Sequence, residues 1–301
     1  MLETSRQGER RPIAADAIPY ARRGNPVATF IRRRPLGALG ALIVLLLLLA
    51  ATFAPLIAPY DPLDTNFIAI LRPPSPEFLL GTDAFGRDLL SRLIFGARTA
   101  LLVGFVSSFV GASLGALLGT VCVYFGGKTD LLLQRVMDVF LSFPIIVLAM
   151  AVVAVLGTGV WNVILAITIP VVPQVARVIR ASALSIREMP YVESARAVGA
   201  GHWRIMARHM LPNVLAPYLI MLTAFLGQAI LLEASLSFLG LGVAEPTAAW
   251  GLMLRGAGVQ FAERAPWLAI APGLAISITV FAFNLFGDAL RDALDPRLRL
   301  L

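Results

Sequence analysis

Between Asp138 and Arg177 lie 38 consecutive residues with no Asp, Glu, Lys or Arg. At about 1.5 Å rise per residue, one helix of that length would be roughly twice as long as the hydrocarbon core of a bilayer is thick. Gly157-Thr158-Gly159 interrupts the run near its middle, so it divides into two helices of membrane-crossing length. The rest of the chain has the same texture. Charged residues make up 14% of it against 58% hydrophobic ones, and the charges gather in a few stretches. A soluble domain of this length would carry about a quarter charged residues, more evenly spread. The chain reads as an all-α, polytopic membrane protein.

The uncharged runs predict six transmembrane helices. Residues 1–35 form an Arg-rich tail broken by Pro12, Pro19 and Pro26, and 36–58 the first helix. A cleaved signal peptide is the competing reading, but its charged region and its apolar core would both be much shorter. Residues 59–97, with Pro62, Pro73, Pro74 and Pro76, are too polar to span and form an extracytoplasmic loop. A transmembrane domain over 98–290 follows, with helices at about 99–126, 131–156, 160–179, 213–240 and 266–287. Pro170 and Pro173 are expected to kink the fourth helix, and 291–301 is a short basic tail.

Arginine sets the orientation. With both termini cytoplasmic, the inner segments hold 19 basic residues and the outer loops six, Arg72, Arg87, Arg92, Arg98, Arg255 and Arg264. The positive-inside rule favours that arrangement, and an even number of spans agrees. The net charge of +7 does not point to nucleic acid, because no basic stripe is interleaved with stacking aromatics. The single cysteine, Cys122, permits no internal disulfide. His202 and His209 stand without acidic or thiol company, so no metal site is expected. Gly127-Lys128-Thr129 imitates the end of a phosphate-binding loop, but position 122 is cysteine where glycine is needed, and a membrane helix precedes it instead of a strand.

The most informative segment is the cytoplasmic loop 188–212. Pro190 suits a helix start and Glu193 its first turn. Ala195 and Ala197 leave a close-packing surface, and Gly199 and Gly201 permit a sharp turn. A second short helix is expected to run to Leu211, ahead of Pro212. The order Glu193-Ser194-Ala195, then Gly199, then Leu211-Pro212 resembles the "EAA" loop of type I ABC importer permeases, with Ser194 in place of the middle alanine. The resemblance implies a coupling helix seated in a groove of a cytoplasmic ATPase, carried by Glu193, Ser194, Ala195, Gly199, Gly201, Leu211 and Pro212.

Other blocks narrow the subfamily. Leu80-Gly-Thr-Asp-Ala-Phe-Gly-Arg-Asp-Leu-Leu-Ser-Arg92, Gly96-Ala-Arg-Thr-Ala-Leu-Leu-Val-Gly104, Leu236-Ser-Phe-Leu-Gly-Leu-Gly242, and the stretch from Ala282 to Pro296 resemble the C-type subunit of the dipeptide/oligopeptide/nickel permeases. Physically, Asp83 or Thr82 can cap a short helix through Arg92 on the outer membrane face.

The resemblance implies a bacterial inner-membrane permease that pairs with a homologous permease subunit as a heterodimer. It would work with two cytoplasmic ATPase subunits and an extracytoplasmic solute-binding protein. Peptides lead as substrates, with nickel and glutathione as related solutes. ATP and Mg would be bound by the ATPases, and this subunit would be no enzyme and hold no cofactor. An ion-gradient-driven secondary transporter is the alternative, but it would show inverted repeats and several buried ionisable residues. A structural scaffold is the third reading, and the coupling-type loop disfavours it.

Within the spans, Gly104, Gly111, Gly115 and Gly119 form a small-residue ridge for helix packing. Asp138 is expected to pair with Arg135, one helical turn earlier. Glu233 sits deep in the fifth helix with no basic residue within four positions, either lining the translocation path or bonding between helices.

Overall fold

A computed structural model describes residues 31–294 apart from 33 and 262. Most of the two expected tails, 1–35 and 291–301, therefore lies outside the described residues. Five helices are long and apolar enough to cross a membrane, and a sharply bent pair makes a sixth span if counted as one.

Helix α1, Pro35–Thr52, starts on a proline, whose missing N–H costs nothing at a helix start. It packs antiparallel against the last helix, α8, Trp267–Leu294. Gly37 and Gly40 are the close contacts: a Cβ at Gly37 would collide with the Ala289 Cβ, and one at Gly40 would come within 2.7 Å of the Ala282 carbonyl. Arg34 donates to the Ala289 carbonyl at 2.6 Å and pairs with Asp292 at 3.3 Å, so the start of α1 and the end of α8 share one side of the bundle.

Helix α2 spans Leu89–Phe125, ten residues earlier than the expected start at 99. Hydropathy marks the slab a helix crosses, whereas a cap marks where the helix begins. Asp88 is that cap, accepting from the Ser91 amide at 2.7 Å and the Ser91 hydroxyl at 2.6 Å. The capping role expected of Asp83 or Thr82 is corrected accordingly. Asp83 closes a turn through the amides of Phe85 and Arg87, and Thr82 ties the outer loop to Ala69 and Arg72.

The third span is not one helix over 131–156. The region holds α3, Gly127–Leu141, and α4, Ile145–Leu156, bent by 89°, a broken span or a re-entrant pair. Pro144 has no amide to give the preceding turn, and its ring would clash with the carbonyl four residues back. Helix α5, Val160–Arg187, runs beyond the expected 179 with Pro170 and Pro173 inside it. The glycine ridge of α2 lies against it: a Cβ at Gly115 would fall 2.7 Å from Val175. Asp138 reaches Arg177 of α5 at 2.6 Å and Arg135 only at 3.9 Å, so the expected local pair is chiefly a pair between helices. Arg180 holds Asp130 at 2.6 and 2.8 Å in the same way.

Helix α6, Pro190–Ala197, is followed by α7, His202–Phe238, a single helical run. The expected break at Pro212 does not occur. A π-helical turn over Met206–Met210 and a 3-10 turn over Leu211–Val214 carry the chain past the proline. The Asn213 side chain donates to the His209 carbonyl at 2.7 Å. The buried core lies where α2, α5 and α7 meet, with Val103, Ile167, Val171, Ile179 and Leu236 fully enclosed.

Candidate functional site

The inner loop is built by a helix-ending motif. The Gly199 amide donates to the Arg196 carbonyl at 2.9 Å and the Ala200 amide to the Ala195 carbonyl at 3.0 Å. This pair of bonds closes a helix on a residue in the left-handed region, and Gly199 holds φ +77°. Any Cβ would be strained there although open space surrounds it. Gly201 is different, with φ −64° and no steric need for glycine, so only one of the two glycines makes the turn.

Val192 and Ala195 face inward and pin α6 to the core, while Glu193 and Ser194 face solvent. Val198, between α6 and α7, is 83% exposed and Trp203, in the first turn of α7, 65%, which makes an apolar tip. The loop therefore has a buried root and an exposed crown. Leu211 and Pro212 stand apart from that crown. Leu211 packs on the membrane side, where it lines a cavity of about 230 Å³ with Ser113 and Tyr218, whose hydroxyls lie 3.1 Å apart.

The loop is tied to the end of α2 by contacts that spacing along the sequence does not reveal. Tyr124 and His202 share a hydrogen bond at 2.7 Å between the phenol oxygen and Nδ1. The Arg196 guanidinium lies 5.6 Å from the Tyr124 ring, and Arg187 donates to the Val123 carbonyl at 3.0 Å. The three groups come from α5, α6 and the start of α7. The loop and the end of α2 are thus in direct contact.

Glu233 is fully buried in α7. Its Oε1 accepts from the Ser237 hydroxyl at 2.7 Å, and Oε2 has no hydrogen-bond partner among the described residues. Ser237 in turn accepts from the Val243 amide at 3.3 Å, so the carboxylate backs the turn that ends α7. Among the described residues no group of three His, Cys, Asp or Glu side chains could hold a metal.

On the outer face, sequence reasoning missed an ion-pair network because its members come from distant segments. Arg87 binds Asp83 at 2.7 Å and Glu245 at 3.3 Å, and Arg92 donates to the Pro62 carbonyl at 3.1 Å. Both arginines are buried, so the network joins the loop before α2 to the loop after α7. The five-residue spacing of Arg87 and Arg92 within a loop of charges was the only sign of it in the sequence.

Residues 111–300 match the family described as binding-protein-dependent transport system inner membrane component. Residues 30–74 match the N-terminal transmembrane domain of oligopeptide transport permease C. The di/tripeptide transport system permease protein DppC of Pseudomonas aeruginosa is 45% identical over 270 residues, covering 87% of this chain and 89% of that protein. The glutathione transport system permease protein GsiD of Escherichia coli is 42% identical over 297 residues, covering 96% and 98%. The fold resembles that of the inward-facing MetNI methionine ABC transporter, with a TM-score of 0.54 and 21% identity over 68% of this chain and 96% of that one. The chain therefore belongs to the binding-protein-dependent transport system inner membrane components: it is a multi-pass inner-membrane permease of an ABC importer, a subunit that is not itself an enzyme, and not a secondary transporter.

Proposed function

We propose that this permease carries di- and oligopeptides. The observation that carries the reading is the 45% identity, over nearly the whole chain, to a di/tripeptide permease. The similarly high identity to a glutathione permease makes glutathione, itself a peptide, the first competitor. Nickel remains the third solute of the subfamily. The chain pairs with a homologous permease subunit and receives solute from an extracytoplasmic binding protein. Two ATPase subunits bind ATP and Mg, and this subunit holds no cofactor.

The ATPases engage the crown of loop 188–212 through Glu193, Ser194, Gly199 and Gly201, with the buried Ala195 anchoring the crown to the core and Leu211 and Pro212 relaying the movement into α7. Support comes from the crown's exposed apolar residues and from the Tyr124–His202 tie beneath it. ATP closes the ATPases, the crown moves with them, and α2 and α7 shift to turn the pathway outward. Glu233 is enclosed in this conformation, and its place in the path requires that the outward turn uncover it.

The test is purification of the tagged chain from its native membranes, followed by reconstitution. Two ATPases and a second permease should co-purify, and uptake of labelled dialanine should need ATP and the binding protein. Uptake of glutathione or nickel but not dialanine, or uptake without ATP, overturns the reading. Glu233→Gln should assemble normally and take up cationic peptides more slowly than neutral ones. Equal, parental rates for both would remove Glu233 from the path.

A further inference from the structure

The outer arginine network borders a cavity of about 350 Å³, within the range of small-ligand pockets. Asp83, Arg87, Arg92, Glu245 and Arg255 supply its charged groups, and Met253 and Phe261 are among its apolar ones. Three features single it out.

The guanidiniums of Arg87 and Arg92 are buried and fixed before any ligand arrives, by Asp83 and by the Pro62 carbonyl. A fork held in place loses little entropy when it takes up a carboxylate. Glu245 is the second feature. Its carboxylate lies 3.3 Å from Arg87 and 3.9 Å from Arg92 and is 51% exposed, a looser fit than the 2.7 Å contact of Asp83. It is an internal carboxylate sitting where an external one could bind.

The third feature is Arg255. It is exposed, and among the described residues it has no hydrogen bond or ion pair. The helical turn opens at this point, with ψ 146° at Arg255 and φ +68° at Gly256. With Asp83 and Glu245 set against three arginines, the cluster keeps one net positive charge.

We propose that this cavity is an outer subsite for the carboxylate end of the transported solute. Arg255 meets the carboxylate first, Arg87 and Arg92 share it as Glu245 yields, and the apolar wall takes the adjoining side chain. The peptide identity of that solute rests on the reading above, whereas the carboxylate chemistry rests on the cavity. Concavity favours a small solute over the surface of the binding protein, which needs no enclosed volume.

The experiment uses the full assembly in nanodiscs without binding protein. Gln260 lines the cavity, and the native Cys122 is buried, so Gln260→Cys gives this chain a single reactive thiol for a neutral maleimide, and labelling is read on this chain after the subunits are separated. Dialanine should slow its labelling and dialanine amide should not. Adding Arg255→Gln should raise the half-protecting dialanine concentration about tenfold, the scale of one charge-assisted hydrogen bond, and Arg255→Lys should restore part of it. Protection by the amide equal to that by dialanine overturns the subsite. So does protection by solute-free binding protein with none by dialanine, which would make the cavity a docking point. Protection by butyrate but by no dipeptide keeps the carboxylate subsite and sinks the peptide reading. Dialanine uptake without protection by any carboxylate sinks the subsite alone.

Discussion

At the outer end of the bundle, Asp83, Arg87, Arg92 and Glu245 bring two distant loops together through side chains that are mostly buried. At the inner end, α6 and the start of α7 expose most of their surface, and one aromatic hydrogen bond, Tyr124 to His202, supports them from below. The outer network is made of charges that cannot lose a partner cheaply. The inner loop is held by backbone geometry, one neutral hydrogen bond and two single arginine contacts, Arg196 over the Tyr124 ring and Arg187 to the Val123 carbonyl, none of them an enclosed ion pair. A face that must move with a partner can be built in the second way, whereas the first suits a face that holds its shape.

Arg92→Met tests the outer half of that contrast most severely. The side chain is 2% exposed, and removing it leaves Asp83 and Glu245 with Arg87 alone. Stranding a buried charge costs about 3–5 kcal/mol, and the loss here is smaller because Arg87 still holds Asp83 at 2.7 Å. The variant should show a clear drop in thermal stability in detergent and in recovered assembly. A melting temperature equal to the parent's would mean the network is decoration.

Gly199→Val should come next. Forcing a β-branched residue to φ +77° costs about 1–2 kcal/mol and reshapes the crown. Membrane insertion should be normal, ATPase retention on purification reduced and transport lost. Gly201→Ala is the matched control for backbone strain, because its backbone is extended and nothing in this chain lies within 4 Å of the added Cβ, so it should lose less ATPase than Gly199→Val. If both variants behave alike, the turn does not carry the inner function.

Tyr124→Phe keeps the ring and removes the hydrogen bond, an effect of about 1 kcal/mol. ATPases should stay bound and hydrolyse ATP, while less solute is moved per ATP. An unchanged ratio of uptake to hydrolysis would detach α2 from the loop. The smallest effect is expected for Arg177→Gln. Its pair with Asp138 is half exposed on both sides and worth about 0–1 kcal/mol, so the melting temperature should hardly move.

Much of the fold was legible because a membrane filters sequence so strictly. Uncharged runs marked the spans, and arginine counts oriented them. Helix ends were less legible, since α2, α5 and α8 extend past the uncharged runs into segments that carry charges, where hydropathy goes silent. The bend at Pro144 went unread because the run around it stays apolar on both sides. In the loop, the motif pointed to Gly199 and Gly201 equally, and only backbone angles separate a glycine that is needed from one that is tolerated. Tyr124, 78 residues from His202, carried no local sign of its partner.

The sequence by itself determined that this chain spans a membrane, which way it faces, and which family it resembles. Each of these depends on composition or on residues close together in the chain, where local physics is enough. Tertiary structure alone decided which charges meet. Arg87 and Glu245 are 158 positions apart, and Trp250 donates to the Leu93 carbonyl across 157. Such pairs form because antiparallel helices return the chain to the same end of the bundle, and no pattern within either segment records that return.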